Sequence, residues 1–473
     1  MSELDLSKLR FRWIAASDVD ECYSIERLSY PADEAASLQS LRYRQGNAGD
    51  YFLGAYSSSG QILGFVCGTL CKKFDHDTMS VHDSMAHILA IHSVVITPEA
   101  RRKGIANAML CSYIRHMTYD SQYSHVTELM LICKQNLLRF YIGCGFVVTG
   151  LSDISHGATP WIECEMDLCE RRKPKFWVVD AFTETTGGGN PAAVVITVNK
   201  TLYENRQWSQ TVAAEFNLSE TVFVSERESI DNDNESGFQE EKDFDLKYFS
   251  PTVEIQFCGH ATLAAAYTLF VKSYVDTKKR IIFHISNMSP LIATMSQGKI
   301  VLDFPLQRPR HIDDLDRLKK LEDWIEACAG VPKQDILRIC DTEIKDLLVE
   351  ISIDAFRKIE PKFSVMKRGD VGRGIIIACA GDVRNKSMAG IPNEADFSSR
   401  FFAPGVGIDE DPVTGSAHCT LAPYFAERLH KTSLVAWQDS RRGGSMFIDV
   451  QKERNRVTIT AAAVISSQGT LCI

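Results

Sequence analysis

At 473 residues, 45% hydrophobic and 24% charged, the chain is long enough for two or three soluble globular domains, each with its own core. A net charge of −9 argues against a phosphate-backbone binder, and no apolar run approaches the roughly 18–20 residues of a membrane span. The fourteen cysteines form no C-x-x-C pair and sit mostly inside apolar runs, and residues 1–10 lack a signal-peptide core, so a cytoplasmic enzyme in a reducing compartment is expected, with the nucleus also open.

The first elements alternate. A strand is expected over 11–14, a helix over 18–28 capped by Ser17 or Asp18, a second helix over 37–45, then strands over 51–56 and 62–70. Residues 87–96, nearly all apolar and closed by Thr97-Pro98, predict a buried central strand. Arg101-Arg102-Lys103-Gly104-Ile105-Ala106 follows, and Ala106, Leu110, Tyr113, Ile114 and Met117 fall at helical spacing. A strand therefore feeds a short basic loop that opens a helix. The first N–H groups of a helix lack internal partners and its dipole favours negative charge there, while glycine lets the chain approach an anion closely. A pyrophosphate suits such a place, although a plain basic helix start has the same six-residue form.

A strand over 129–133, then Asn136, then Phe140-Tyr141-Ile142-Gly143-Cys144-Gly145-Phe146 complete the pattern. With Ala90-Ile91-His92-Ser93-Val94-Val95 these residues resemble the GNAT acetyltransferase superfamily over about residues 8–168, nearest its arylalkylamine and polyamine N-acetyltransferase branch. The resemblance implies an α/β fold, a mixed sheet flanked by helices, with acetyl-CoA as co-substrate and a small amine as acceptor. It implies that backbone groups of Val94, Val95 and Ile96 hold the pantetheine arm. Arg101, Arg102, Lys103, Gly104, Ile105, Ala106 and Asn107 would hold the pyrophosphate, with Asn136 also at the cofactor. His92 would help strip the ammonium of a proton, acting through water; the second histidine of the family's pair falls on Ala90, a departure. Tyr141 would protonate the leaving thiolate, a transfer a phenol can make if held in hydrogen-bond reach. The plainer readings are a hydrogen-bonded strand histidine and an aromatic core residue. Asp33, Glu34 and Glu26 offer charge to a cation, though acidic surface residues are commonly just solvated.

Glu170-Arg171-Arg172-Lys173-Pro174-Lys175 is a charged run that Pro174 should keep extended and solvated. It reads as a linker over 170–175 between domains at 1–169 and 176–473. Beyond it, strands are expected over 176–180, 192–198 and 220–224, with a turn-rich stretch at 185–191 and a helix over 207–216 ending near Asn217. Residues 226–241, acidic and rich in Asn, Asp and Ser, read as a mobile surface loop. Phe244, Leu246 and Tyr248 alternate with charge, as in a half-buried strand. His260-Ala261-Thr262-Leu263-Ala264 is echoed by His418-Cys419-Thr420-Leu421-Ala422, each opening an alanine-rich helix behind a glycine. The echo implies two similar lobes. If they face each other, two helix N-termini converge on one cleft that could hold a carboxylate beside a developing carbanion.

Asp180-Ala181-Phe182, Gly189-Asn190-Pro191-Ala192-Ala193-Val194, Asn217-Leu218-Ser219-Glu220-Thr221, Cys258-Gly259-His260-Ala261-Thr262, Asp303-Phe304-Pro305 and Asp411-Pro412-Val413-Thr414-Gly415-Ser416-Ala417 resemble the phenazine-biosynthesis (PhzF-like) family. The resemblance implies an α+β fold of the diaminopimelate-epimerase type, two lobes that are each a curled sheet around a central helix. It places the catalytic glutamate on Glu220, shuttling a proton between carbon atoms, and matches His260, Asp411 and Ser416 to the other cleft residues. Burial would raise the Glu220 pKa toward the range of a base–acid shuttle. The plainer readings are a strand-start carboxylate for Glu220 and helix caps for His260 and Asp411. Diaminopimelate epimerases use two opposed thiols; here one position is Cys258 and the other Thr414, so Cys258 reads as a small packed residue. No metal or nicotinamide site is evident.

The whole reads as an acetyl-CoA-dependent N-acetyltransferase of a small primary amine, fused to an isomerase of a small carboxylate-bearing metabolite. No nucleic-acid or membrane partner is expected, and a homodimer is allowed. Two alternatives stay open: a second domain that only binds or dimerises, and acetylation of protein lysines.

Overall fold

The apolar run Ile62–Cys71 is buried at every position, as a strand covered on both faces must be. It lies inside the first of two units into which the chain divides between Lys173 and Pro174. The computed structural model describes residues 9–75, 81–154, 160–227, 241–369, 372–384 and 394–472. Among the described residues of the first unit, strands β1 (Arg10–Trp13), β2 (Phe52–Tyr56), β3 (Ile62–Cys71), β4 (Ile88–Ile96), β5 (Glu128–Cys133), β6 (Val147–Leu151) and β7 (Ile162–Asp167) form one sheet. Its order is β1-β2-β3-β4-β5-β7-β6, antiparallel except for β4 beside β5.

Helices α1 (Val19–Ser29), α2 (Leu38–Ala48), α3 (Ile105–Tyr119), α4 (Leu138–Gly143) and α5 (Leu168–Arg172) surround it. Val19, Cys22 and Ile25 of α1 and Leu41 of α2 cluster with Phe52, Phe65 and Cys67. Met109, Leu110, Tyr113 and Ile114 of α3 cluster with Leu53, Val66, Leu89 and Ile91. Neighbouring residues of one strand thus feed opposite layers, as a period of two requires. Ser37 caps α2 by accepting the Ser40 N–H. The cap expected for α1 is not made: the Asp18 carboxylate accepts the Tyr56 hydroxyl at 2.9 Å instead.

The charged run at 170–175 departs from its expected extended form. Asp167 accepts the Glu170 N–H and starts α5, which carries Glu170, Arg171 and Arg172 in its turn, and Lys175 already belongs to a strand. Arg172 donates to the carbonyls of Met117 (2.7 Å), Thr118 (2.9 Å), Tyr123 (3.1 Å) and Ser124 (3.2 Å). Those include last-turn acceptors of α3 that have no partner within the helix.

In the second unit the strands hydrogen-bond in one continuous path. From Lys175–Ala181 it passes through Asn190–Ile196, Glu220–Glu226, Glu241–Phe249, Arg280–His284 and Leu291–Ser296 to Lys299–Pro305. Lys299–Pro305 pairs with Arg456–Ala461, and the path continues through Gly444–Gln451, Ser433–Gln438, Phe397–Ala403, Gly374–Ala380 and Asp346–Ile351. Each lobe wraps one helix, Gly259–Val271 or Gly415–Arg428, whose first turns are almost wholly buried. Both helices enter the same core. Residues 228–240, within the stretch expected to be a surface loop, lie outside the described residues.

Arg172→Ala should lower the unfolding free energy of the first unit by about 2–3 kcal/mol, the scale of charged hydrogen bonds lost from carbonyls that stay buried. Urea unfolding followed by far-UV circular dichroism checks this. Arg172→Lys should recover less than half, because one ammonium cannot span four carbonyls.

Candidate active sites

A bulge shapes the site of the first unit. Cys67 pairs with Ser93 and the next residue, Gly68, with Ile91, so His92 has no opposite number on β3. Such a residue has its side chain re-aimed, and His92 lines a cavity of about 250 Å³ together with Glu26, Tyr30, Arg44 and Tyr141. Its Nε2 lies 2.7 Å from Thr69 Oγ1, while Nδ1 is buried without a hydrogen-bond partner. Burial and then the Arg44 charge hold this imidazole well below its ordinary pKa, so it is neutral. Tyr141, on α4, packs edge-on against Phe140 and Phe146. Burial pushes its phenol well above the usual value, which makes it a proton donor and not an acceptor.

The bulge also parts two strands. The parallel pairing of β4 with β5 ends at Ile91 and Leu131, so Val94, Val95 and Ile96 have no partner residue on β5. One Val94 backbone group is taken by the Tyr30 hydroxyl. The expected anion loop follows, with Arg102 at φ 62° and Gly104 at φ 82° directly before α3. Two of its three cations also donate to neutral groups of the same unit. Arg101 donates to Ile96 O (3.0 Å), Ser29 Oγ (3.1 Å) and Leu28 O (3.3 Å), and Lys103 donates to Glu99 O (2.8 Å). The loop offers an anion Arg102, the N–H groups of Gly104, Ile105, Ala106 and Asn107, and the charges of Arg101 and Lys103, whose partners are all neutral. Asn107 Oδ1 accepts the Cys144 thiol at 3.4 Å. Asn136 is exposed in the turn before α4, away from the cavity lining. Of the three early carboxylates, Glu34 pairs with Lys134 at 2.9 Å, Asp33 is an exposed part of the cavity wall, and Glu26 is buried.

The second site forms where the two central helices begin. A Cβ on Gly259 would lie 3.5 Å from Gly415 Cα, so the helix starts touch backbone to backbone. His260 stands in the first turn of one of them. Its Nε2 is 3.1 Å from Glu220 Oε2 and its Nδ1 is 3.2 Å from Cys258 Sγ and from Asn190 Nδ2. Ligand-type atoms of Glu220, Cys258 and His260 lie within 4.8 Å of one another. Glu220 faces one ring nitrogen as an ion pair and Cys258 lies nearest the other, while Glu220 Oε2 itself is buried without a hydrogen-bond partner.

The electrostatics of Glu220 differ from expectation. Burial raises its pKa, but the His260 charge and hydrogen bonds from His260, Ser219 and Cys258 outweigh that and leave it below the ordinary carboxylate value. Burial likewise depresses His260, yet Cys258 and Glu220 lift it well above its usual range. The resting pair is a carboxylate beside an imidazolium. Cys258 is a buried core thiol, as expected, and it also touches this pair.

Asp411 is not a cap. Its Oδ1 accepts Asn190 Nδ2 at 2.8 Å and its Oδ2 accepts the Thr414 hydroxyl at 2.5 Å, and neither central helix has a side-chain cap. Burial pushes its carboxyl up to about 6, with His260 lowering it and Glu220 raising it. Ser416 Oγ accepts from Arg373 at 3.1 Å, and Arg373 is itself gripped by buried Asp346 at 2.9 and 2.5 Å. Sequence reasoning missed Arg373, Asp346 and Gln438, which donates to Asp411 O and accepts the Thr414 N–H. Asn190 stood in a quoted motif but was given no role.

Residues 179–469 match the family model of phenazine biosynthesis-like proteins, and residues 20–162 match that of a GNAT acetyltransferase domain. An uncharacterized isomerase of Pseudomonas aeruginosa is 38% identical over 295 residues, 62% of this chain and 97% of that protein. Phenazine biosynthesis-like domain-containing protein 1 of Mus musculus is 38% identical over 308 residues, 63% of this chain and 99% of that protein. A crystal structure of a PhzF-family phenazine biosynthesis protein from Enterococcus faecalis aligns with a TM-score of 0.51 at 33% identity, covering 64% of this chain and 100% of the other. Among the described residues, no helix is long and apolar enough to cross a membrane.

The Asp411 carboxyl has a thermodynamic signature. Its pKa is raised from 3.8 to about 6 on folding, so it stabilises the fold fully below the lower value and that contribution is lost as pH rises through the upper one. On the order of 2–3 kcal/mol is involved. In urea unfolding from pH 4 to pH 7, Asp411→Asn should gain stability relative to the unaltered protein by up to that amount. A difference that stays flat would mean that Asp411 titrates as an ordinary carboxylate.

Proposed function

The chain belongs to the phenazine biosynthesis-like family and carries a GNAT acetyltransferase domain ahead of the family region, and we propose that it is a bifunctional enzyme. In this reading the first unit transfers an acetyl group from acetyl-CoA to a small primary amine. The second moves a proton between carbon atoms of a small carboxylate-bearing metabolite.

The observation that carries the first half is the parting of β4 from β5 beyond His92, with Tyr141 lining the cavity beside it. Val94 and the Ile96 N–H, on the side that β5 leaves open, offer main-chain groups to the amide-bearing arm of the co-substrate. Val95 pairs with Phe65 of β3, and Arg101 holds the Ile96 carbonyl. The start of α3, with Gly104 in the left-handed region and Arg102 before it, suits a diphosphate. Acetyl-CoA brings the thioester to be broken. Tyr141, kept protonated by burial, gives its proton to the sulfur as the C–S bond breaks.

The second half rests on Glu220, a carboxylate held ionised by His260 beside two helix starts. With a lowered pKa, Glu220 can take a proton only from carbon already acidified by conjugation. The N–H groups opening the two helices stabilise the negative charge left behind. Glu220 then returns the proton to a different carbon. Asp411 holds Asn190 and Thr414 in place, and Arg373 fixes Ser416 at the second helix start.

The test follows CoA release from acetyl-CoA with tryptamine-like amines, polyamines, amino acids and a histone-tail peptide. Turnover of a small amine is expected, with kcat lowered about 10²–10⁴-fold in Tyr141→Phe. Acetylation of the peptide alone would give the protein-lysine reading. For the second unit, deuterium uptake from D2O into small unsaturated and amino carboxylates should be lost in Glu220→Gln. Uptake that survives this change would remove Glu220 from the reaction.

A further inference from the structure

Of the fourteen cysteines, three are exposed: Cys111, Cys169 and Cys472. Cys111 stands in the second turn of α3 and meets Cys144, the buried residue that closes α4. Their sulfurs lie against one shared atom: Asn107 Oδ1 is 3.4 Å from Cys144 Sγ and 4.0 Å from Cys111 Sγ. The hydrogen bond with Cys144 brings the Cys111 thiol down to about 6, with burial opposing and the charge of Arg171 on α5 assisting. The Cys111 sulfur and then burial push the Cys144 thiol far up. At neutral pH the pair is therefore an exposed thiolate beside a buried, protonated thiol. The thiolate is the nucleophilic form, and reversible oxidation needs such a group in reach of solvent with a second thiol next to it.

We propose that Cys111 and Cys144 are a peroxide-sensitive pair whose disulfide weakens acetyl-CoA binding by the first unit; the loss of binding rests on the acetyltransferase reading of this unit. The Cys111 thiolate attacks one oxygen of a hydroperoxide, the O–O bond breaks, and Cys111 becomes a sulfenic acid. With hydrogen peroxide the departing hydroxide picks up the proton that Cys111 had given to solvent and leaves as water. The Cys144 sulfur then attacks the Cys111 sulfur, the S–S bond forms, and the sulfenic hydroxyl leaves with the Cys144 proton as a second water. Two thiols and one peroxide thus give one disulfide and two waters. A thiol reductant reverses the change by exchange through a mixed disulfide.

The pair sits between two elements that the reading assigns to the co-substrate. Asn107 is in the first turn of α3, where its N–H is among those offered to the diphosphate. Tyr141 is on α4, and the Cys144 N–H donates to Tyr141 O at 3.0 Å and to Phe140 O at 3.1 Å. An S–S bond is about 2.05 Å long, far shorter than a contact between thiols, so closing it draws the end of α4 onto α3. It also takes both sulfur partners from Asn107 Oδ1, and the amide must turn to find others. Coupling of this kind is reciprocal, so bound acetyl-CoA protects the pair from oxidation. Cys133 and Cys164 are the internal comparison. Their sulfurs are 3.9 Å apart, but both are buried, and burial pushes Cys133 up to about 12 and Cys164 upward as well.

The experiment treats the reduced full chain with a small molar excess of hydrogen peroxide, blocks the remaining thiols by alkylation and maps linked peptides by mass spectrometry. Calorimetry reads acetyl-CoA affinity before oxidation, after it, and after dithiothreitol. A link between Cys111 and Cys144 is expected, formed more slowly when acetyl-CoA is added first. Affinity should fall about tenfold, within the usual range of coupling between two sites, and return with dithiothreitol. Cys111→Ser and Cys144→Ser should each bind acetyl-CoA as the unaltered protein does and keep that affinity through peroxide. Should Cys144→Ser not fold, Cys144→Ala takes its place, and Cys111→Ser, at an exposed position, carries the same test. A link that joins Cys133 to Cys164 instead, sulfinic acid at Cys111 with no disulfide, or an affinity unchanged by the Cys111–Cys144 bond overturns the proposal. A reduced protein that does not bind acetyl-CoA, although the Cys111–Cys144 bond still forms, overturns the acetyltransferase reading, and the control of binding goes with it.

Discussion

Taking the Glu220 carboxylate out of water is a large penalty, and much of the second unit is arranged to meet it. The counter-charge comes from His260 at the start of one central helix. His260 lies against Cys258 and beside Asn190, whose amide donates to Asp411 and to the Val413 carbonyl, and the other Asp411 oxygen takes the Thr414 hydroxyl at the start of the opposite helix. One chain of contacts therefore runs from a strand of the first lobe to the second helix. Removing any single member would leave a buried polar atom unpaired, which is why such networks are costly to disturb. The two glycines let the helices approach closely enough for this chain to close.

The first unit solves a different problem by different means. A sheet whose strands all pair leaves no backbone for a ligand. One extra residue in β4, His92, ends the pairing with β5 after Ile91 and opens an edge in the middle of the sheet. The same residue turns its side chain into the cavity that the edge borders. Backbone recognition and side-chain chemistry are thus placed together by a single irregularity, with α3 and α1 packed on opposite faces to keep it in position.

Much of this was legible in the residues. Ordered short motifs located both folds, and the repeated H-x-T-L-A pointed to the two facing helices. Glu220, His260 and Asp411 were named before any coordinates, and the structure brings all three together. What could not be read was set by distance along the chain. Whether Glu220 is raised or lowered depends on a histidine forty residues away. Arg101 reads as an anion ligand because its neighbours are basic, and its guanidinium also bonds two carbonyls and a hydroxyl of its own unit, contacts that no local pattern announces. Glu26 looked like one of three acidic surface residues, and only the packing of α1 against β4 shows that it is buried. Arg373 and Gln438 carried no local pattern at all.

Composition and mechanics place the joint between the units differently. The residues most like a tether in charge include the one that closes the first unit: Arg172 covers the last turn of α3, and Pro174 O already accepts the Leu471 N–H of the second unit. Only Lys173 lies between a residue that holds the first unit together and one that holds the second. A dissection made ahead of Glu170 would carry away the plug of α3, while one made after Lys173 would leave each half with the groups that seal it. Lengthening of the tether, whether by a designer or by descent, has only the two peptide bonds of Lys173 to work in.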